Sequence, residues 1–271
     1  MHNHSLFEIA KQCLDCTDPD TKVRLTHFYF RQWRDGLVDF VPGGTPAPLP
    51  VPGKPELPQL VPPSRVARRS VNTEKGHKAL MHAICHIEFN AINLAWDAVY
   101  RFRNMPEEYY GDWLQVADEE AYHFALLRER LNQLGGDYGD FNAHNGLWEM
   151  ACKTDHDVMT RMALVPRVLE ARGLDVTPGI MNRLRNAGDL RTVSLLEIIL
   201  RDEVGHVEIG TRWFRYLCKQ RELDPVQTFE QLLDEYMKGH VKGPFHEEAR
   251  IKAGFSEPEL VMLRKKAGNH E

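Results

Sequence analysis

The 271-residue sequence lacks the features that would place it in a membrane, in a secretory pathway or on a nucleic acid. No apolar run approaches the roughly 18 residues that a transmembrane helix needs. The opening residues, MHNHSLFEIAKQCLDC, lack the basic start and apolar stretch of a secretory signal. The formal net charge is −5, which argues against a protein dedicated to binding phosphate backbones. We therefore expect a cytoplasmic protein without a membrane span.

Cysteine is also scarce and scattered. The five cysteines are an odd number, which suits free thiols in a reducing compartment better than a disulfide framework. Cys13 and Cys16 form a single Cys-x-x-Cys pair, but no second pair follows at zinc-finger spacing and no βαβ pattern surrounds it. Packing in an amphipathic helix is the simpler interpretation, and a role for the pair stays open.

Strand-like alternation is absent, and helical periodicity takes its place. Residues 5–40 predict one or two helices, and longer helical segments follow at about 76–103, 106–134, 145–172 and 188–219. Pro106 suits a helix start, while LGGDYGD and RGLDVTPG are expected to end the second and third segments. Two or three shorter helices are expected after residue 222. The predicted fold class is all-α, a long four-helix bundle with extensions.

Proline is concentrated in one stretch, VPGGTPAPLPVPGKPELPQLVPP, which holds nine prolines over residues 41–63. This density forbids helix interiors and central strands, so the stretch is either a strap across a surface or a disordered tether. It separates four predicted regions: an N-terminal helical extension (1–40), a Pro-rich connector (41–73), the bundle (74–220) and C-terminal helices packed on the bundle (221–271).

Two long segments carry the same short motif. ADEEAYHFALLRERL contains Glu120 and His123, and LRDEVGHVEIGTRWF contains Glu203 and His206, each as Glu-x-x-His. In both, Glu and His occupy positions where the helical periodicity places core residues. Because burying an ionised carboxylate costs several kcal/mol, something inside the bundle should hold these side chains.

Two further glutamates repeat the pattern. Glu88 interrupts the apolar stripe of the first long segment, and Glu170 lies at core spacing in the third. Glu120 follows Glu88, and Glu203 follows Glu170, at intervals that differ by a single position. The chain therefore reads Glu, then Glu-x-x-His, twice over at nearly equal spacing.

Glu170 has competitors for its place in this repeat. Pro166 in the preceding turn is expected to bend the helix, and Glu149 or Glu197 could be proposed instead. The matched intervals favour Glu170.

This ligand order predicts a dinuclear metal site. Residues three apart on a helix share one face, so each Glu-x-x-His can bind one ion. Four carboxylates neutralise two divalent cations, and oxygen and imidazole ligands without thiolate favour iron or manganese over structural zinc. The predicted ligands of two iron ions, with manganese as the alternative, are Glu88, Glu120, His123, Glu170, Glu203 and His206.

Other side chains near these motifs have simpler interpretations. His82 and His86 are expected to make hydrogen bonds at the helix surface or between helices, and Cys85 to be a small core thiol. A basic run, which comprises Arg65, Arg68, Arg69, Lys75 and Lys78, could attract an anionic substrate, but a solvated helix entrance explains it without a function.

The motif order resembles that of the ferritin-like di-iron carboxylate superfamily. HAICHIEFNAINLAWDAVYRF, ADEEAYHFALLRERL, RDEVGHVEIG and GPFHEEARIKAGF are similar to an uncharacterised bacterial ferritin-like family, the domain-of-unknown-function family 455, over about residues 54–257. This resemblance implies the fold and a metal site without a settled substrate. Among characterised proteins the chain is distantly similar to the di-iron tRNA-modifying hydroxylase and the quinone-precursor hydroxylase.

The resemblance also implies a role for each ligand. Glu88, Glu120 and His123 would bind one iron; the other would be bound by Glu170, Glu203 and His206. The bridging carboxylates would be those of the two Glu-x-x-His motifs.

Three functions follow as hypotheses. The first is an oxygen-dependent hydroxylase or oxidase, supported by the long segments that precede the bundle (1–73) and follow it (221–271). The second is iron handling or peroxide removal, as in ferritin and rubrerythrin, although a rubredoxin-like doubled Cys-x-x-Cys is absent. The third is a non-enzymatic bundle that acts through partners. Dioxygen, an electron-donor protein and a small-molecule or tRNA substrate are the expected partners, and a homodimer stays open.

Overall fold

The computed structural model describes residues 5–238 and 241–268, and the fold is all-α, as the sequence predicts. Within those ranges no strand forms; two isolated β-bridges, Ser5 with Asp39 and Leu60 with Ala143, are the only extended pairings. None of the described helices is long and apolar enough to cross a membrane. The chain divides into two compact units, Met1–Cys152 and Lys153–Glu271.

The first unit is built on a long helical hairpin. Its helices are α1 (Leu6–Asp15), α2 (Pro19–Arg34), α3 (Glu74–Arg101), α4 (Glu107–Gln133) and α5 (Gly146–Lys153). Helix α1 starts with a capping box in which Ser5 accepts from the backbone of Glu8. Helix α4 begins directly after Pro106 and ends before Gly135, whose φ of 77° turns the chain. The predicted ends of both hairpin helices are confirmed to within a few residues.

The Pro-rich stretch is a strap in this unit rather than a loose tether. Its backbone pairs with distant segments: Gly53 N donates to Leu14 O at 2.6 Å, and Val61 N donates to Ala143 O at 2.8 Å. Only glycine fits at position 53, because a Cβ there would lie 2.3 Å from a backbone oxygen of α1. The buried ammonium of Lys22 donates to Gly53 O at 3.1 Å and also bonds Asn93 of α3. The strap is thus fixed by backbone bonds at its middle and near its C-terminal end.

The second unit consists of α6 (Val158–Leu164), a π-helical segment (Val165–Glu170), α7 (Ala171–Asn186) and α8 (Leu190–Gln220). Three short helices complete it: α9 (Pro225–Met237), α10 (Glu247–Lys252) and α11 (Glu257–Gly268). The prediction of two or three short helices in the tail is confirmed. The four predicted domain regions remain a prediction about organisation.

The prediction of one helix over 145–172 is wrong. The chain forms α5, restarts at α6 where the Asp157 side chain accepts from Thr160 N at 3.0 Å, and then continues through RGLDVTPG as α7. Helix α7 contains Pro178, at a cost of about 3 kcal/mol in a helix interior. Its buried side chains Leu174, Met181 and Leu184 contribute about 1.5–3 kcal/mol each, so their packing outweighs the proline.

Candidate metal centre

The hairpin of the first unit brings one set of predicted ligands to the same level. Glu88 precedes the last residue of α3, Arg101, by a certain number of positions. Glu120 follows the first residue of α4, Glu107, by the same number. Because the two helices run antiparallel and pack along their length, equal distances from the connection place the two carboxylates opposite each other. His123 follows one turn later on the same face as Glu120.

The three side chains form a compact buried group. His123 Nδ1 lies 3.4 Å from Glu120 Oε2 and 3.8 Å from Glu88 Oε2. One ligand atom from each residue lies within 4.8 Å of the other two, a spacing at which a single ion can contact all three. Glu120 and His123 are fully buried and Glu88 is 3% exposed. Two carboxylates and an imidazole are thus collected in the interior of this unit.

An aromatic cluster packs beside this group. Phe89 and Phe124 follow Glu88 and His123 directly in sequence, and their ring centroids are 5.4 Å apart. Tyr138 lies 5.4 Å from Phe89 and 5.2 Å from Phe124. The three rings pack α3, α4 and the loop after α4 against one another.

His82 and His86 do not join the carboxylates. His82 Nε2 accepts from Gly139 N at 3.0 Å, and His86 contacts the Tyr138 hydroxyl at 2.9 Å and the His144 carbonyl at 3.1 Å. Burial lowers the pKa of each imidazole to about 4, so both are neutral near pH 7. Both histidines tie α3 to the loop after α4, which confirms the simpler interpretation of their role.

The second unit carries its Glu-x-x-His on α8. His206 is fully buried, Glu203 is 8% exposed, and His206 Nδ1 lies 3.9 Å from Glu203 Oε2. Glu170 is half-buried and is the last residue of the π-helical segment. Its two competitors point to solvent: Glu149 is exposed on α5, and Glu197 is 53% exposed in an ion pair with Arg185. Among the three candidates, Glu170 alone is partly removed from solvent.

A notch in α8 receives the π-helical segment. A Cβ on Gly210 would lie 2.2 Å from Pro166 Cγ, so only glycine lets the proline ring approach the helix this closely. Glu170 follows Pro166 by four positions, and His206 precedes Gly210 by four. Since α7 and α8 pack antiparallel, this contact places Glu170 near the level of His206.

Arg167 anchors the same segment from within. Its guanidinium is fully buried, pairs with Glu259 of α11 and donates to Thr211 Oγ1 at 3.3 Å. It also lies 4.6, 4.1 and 4.6 Å from the ring centroids of Phe214, Phe229 and Phe255. Burial lowers the pKa of Arg167, and the charge of Glu259 partly offsets this effect.

A second buried ion pair secures α7 just beyond Glu170. Arg250 of α10 bonds both carboxylate oxygens of Asp175 at 3.0 and 2.8 Å, and His246 N donates to the same side chain at 2.9 Å. Arg250 and His246 belong to GPFHEEARIKAGF, so that tail motif has a structural role in holding α7. The periodicity of either helix alone gives no sign of the ion pair, because its members are 75 residues apart.

The chain is similar to known proteins over most of its length. A family model described as protein of unknown function (DUF455) matches residues 15–261. An uncharacterised protein of Haemophilus influenzae is 53% identical over 216 residues, which cover 77% of this chain and 75% of that protein. No solved structure matched. These similarities bring no assigned substrate or activity.

Proposed function

The chain belongs to the family of unknown function DUF455, and we propose that it is a dinuclear iron carboxylate protein that oxidises an organic substrate with dioxygen. The single observation that carries the proposal is the buried group of Glu88, Glu120 and His123. Two carboxylates and an imidazole in a protein interior are costly to keep there unless a cation balances them.

The donor set fits iron. Carboxylate oxygens and imidazole nitrogens without a thiolate suit iron or manganese. The first set would be Glu88, Glu120 and His123, and the second Glu170, Glu203 and His206. The order of these residues along the chain matches that of dinuclear carboxylate bundles, and four carboxylates balance the charge of two divalent ions. Bound iron would supply the redox capacity that dioxygen chemistry requires.

The protein's own contribution would be positioning and the exclusion of water. Phe89, Phe124 and Tyr138 hold the α3–α4 pair in one rotation, so Glu88 and Glu120 stay opposite each other. In the second unit, the Gly210 notch and the Arg167 anchor would do the same for Glu170. Because oxygen reduction consumes electrons, an electron-donor protein is an expected partner.

Substantial structure outside the hairpin favours an organic substrate over iron storage. The fixed strap, α1 and α2 in the first unit, and α9 to α11 in the second, exceed what a storage subunit needs. Such segments are suited to form the walls of a substrate site.

The first test is metal content. The protein is loaded with ferrous ion without oxygen, freed of excess metal and measured by mass spectrometry beside Glu120→Gln and Glu119→Gln. We expect about two irons per chain in the wild type. Glu120→Gln should lose most of this iron, and Glu119→Gln should keep it, because Glu119 is not part of the buried group and instead contacts Gln115 at 2.9 Å, one turn earlier on α4.

Oxygen uptake then separates the candidate functions. A wild-type protein that binds about two irons and consumes oxygen with a chemical reductant supports the oxidase. Progressive uptake of many irons per chain would support storage instead. A protein that remains metal-free after loading would falsify the metal proposal altogether.

A further inference from the structure

A surface cavity of about 510 Å³ lies where residues 67–73 fold back on the start of α3. The fold-back is made by Ser70 N, which donates to Gly76 O at 3.1 Å. A Cβ on Gly76 would lie 2.7 Å from Thr73 Oγ1 and 2.8 Å from Ser70 Cβ. The absence of a side chain at Gly76 therefore lets Ser70 and Thr73 pack directly against the start of α3, beside the cavity.

Three cations line the cavity: Arg68, Arg69 and Lys75. Within the described part of the chain, none of the three forms an ion pair. The one carboxylate within residues 62–80, Glu74, is bound to Lys78 at 2.7 Å. Residues 62–80 contain five basic side chains and one acidic side chain, in a chain whose net charge is −5. Positive charge is thus concentrated in this stretch of the chain.

Two hydroxyl groups add hydrogen-bond donors to the same wall. Ser70 Oγ accepts from Asn72 N at 3.1 Å, and Thr73 Oγ1 accepts from Gly76 N at 3.1 Å. Each hydroxyl uses a lone pair in this bond and keeps its proton available to donate. The cavity therefore offers two guanidinium groups, one ammonium and two hydroxyls.

We propose that this cavity binds the phosphate or diphosphate group of a small phosphorylated molecule. Arginine forks match the geometry of phosphate oxygens, and lysine supplies a further point charge. The cations all fall within the short stretch 68–75, around a cavity that holds a compact group. A nucleic-acid backbone instead calls for a stripe of basic residues across a surface.

The cavity is separate from the proposed metal ligands. Lys75 and Glu88 lie on the single helix α3, about 20 Å apart at a rise of about 1.5 Å per residue. At this separation, phosphate in the cavity does not contact the metal ligands. Phosphate binding at the cavity and metal binding at Glu88 can therefore be measured independently. The proposal holds whether or not the chain oxidises a substrate.

The test is calorimetric titration of the full chain with inorganic phosphate and pyrophosphate at constant ionic strength. The wild type should bind pyrophosphate saturably with one site per chain. Arg68→Gln/Arg69→Gln should weaken binding by about tenfold or more, since each lost charge-assisted hydrogen bond is worth about that factor. Lys78→Gln is the matched control, since Lys78 is engaged by Glu74, and should change binding by less than about twofold.

Gly76→Ala tests the shape of the cavity without changing its charge. The added methyl group displaces Ser70 or Thr73, so pyrophosphate binding should weaken while helix content and iron content stay at wild-type values.

A single-stranded RNA without terminal phosphates is the third probe. Tighter binding of this RNA than of pyrophosphate, through the same arginines, would overturn the small-molecule assignment. So would an absence of saturable pyrophosphate binding, or binding that the double variant leaves unchanged.

Discussion

The two units carry the same order of proposed ligands but hold the first glutamate of each set by different means. Glu88 lies in an uninterrupted α-helix, and its level follows directly from the length of the α3–α4 hairpin. Glu170 ends a π-helical segment whose position depends on a proline docked against Gly210 and on the buried Arg167. A regular hairpin is sufficient for the first glutamate, whereas the second requires specific partners.

This difference indicates how sensitive each unit is to amino-acid substitutions. The position of Glu88 depends on helix packing and on several aromatic contacts, so no single partner alone determines it. The contacts that position Glu170 are few and buried, and π-helical segments are often found at functional sites because they re-aim side chains. We therefore expect the second unit to be the more sensitive one to single substitutions.

Arg167→Leu should have the largest effect. It removes one member of a buried ion pair and leaves the buried carboxylate of Glu259 with only its longer ion pair to the part-exposed Arg215, at 3.4 Å, which costs about 3 kcal/mol. Chemical denaturation followed by circular dichroism measures this loss. Arg212→Leu is the control, because Arg212 is 45% exposed and its ion pair with Glu208 is worth less than about 1 kcal/mol.

The double variant Arg167→Leu/Glu259→Leu sharpens this prediction. Removing both charges leaves no isolated buried ion, so the double variant should be more stable than Arg167→Leu alone. Equal losses of stability in Arg167→Leu and Arg212→Leu would contradict the anchoring role of Arg167.

Gly210→Ala should have the next largest effect. The new methyl group overlaps Pro166, and such overpacking costs about 1–3 kcal/mol. Displacement of the π-helical segment should also lower the iron content from about two per chain towards one, because Glu170 is shifted while Glu88 is not. Stability and metal content are measured on the same sample.

Gly205→Ala is the matched control on the same helix. No atom lies within 4 Å of a Cβ at that position, so alanine should stabilise α8 by about 0.5–1 kcal/mol and leave the iron content unchanged. If both alanine variants keep full iron content, the notch does not position a ligand.

The first half of the candidate site could be predicted from the sequence because it depends on local rules. Glu88, Glu120 and His123 sit at core positions of two helices joined by a short connection, and periodicity alone brings such residues together. Pro106 and Gly135 mark the two ends of α4 through their own backbone preferences, which are also local properties of the sequence.

The second half could not be predicted in the same way because its supports are distant in sequence. Arg167 bonds Thr211 and Glu259, which are 44 and 92 residues away. Pro166 gave a reason to expect a bend, but the glycine that accommodates it lies on another helix. The prediction that RGLDVTPG ends a helix is wrong, because helix propensity penalises Pro178 whereas tertiary packing overrides that penalty.

The smallest effect we predict is a pH dependence that differs between the units. In the first unit, burial lowers the pKa of His82 to about 4 from its ordinary value of 6.5. The unfolded chain therefore gains a proton at His82 before the folded chain does, and stability is lost as the pH falls from 6.5 towards 4. Between pH 7 and 5.5 this loss is about 1 kcal/mol. His82→Gln should remove that part of the slope.

The second unit should respond at lower pH. Burial alone would raise the pKa of Glu259, but the charge of Arg167 and hydrogen bonds from Ser256 lower it below its ordinary value of 4.5. Its contribution is therefore complete above pH 4.5 and is lost only below that pH. Hydrogen exchange at pH 7 and 5.5 should show protection falling in α3 and α4 before it falls in α8. The reverse order, or an unchanged slope in His82→Gln, would show that His82 does not make the first unit the acid-sensitive one.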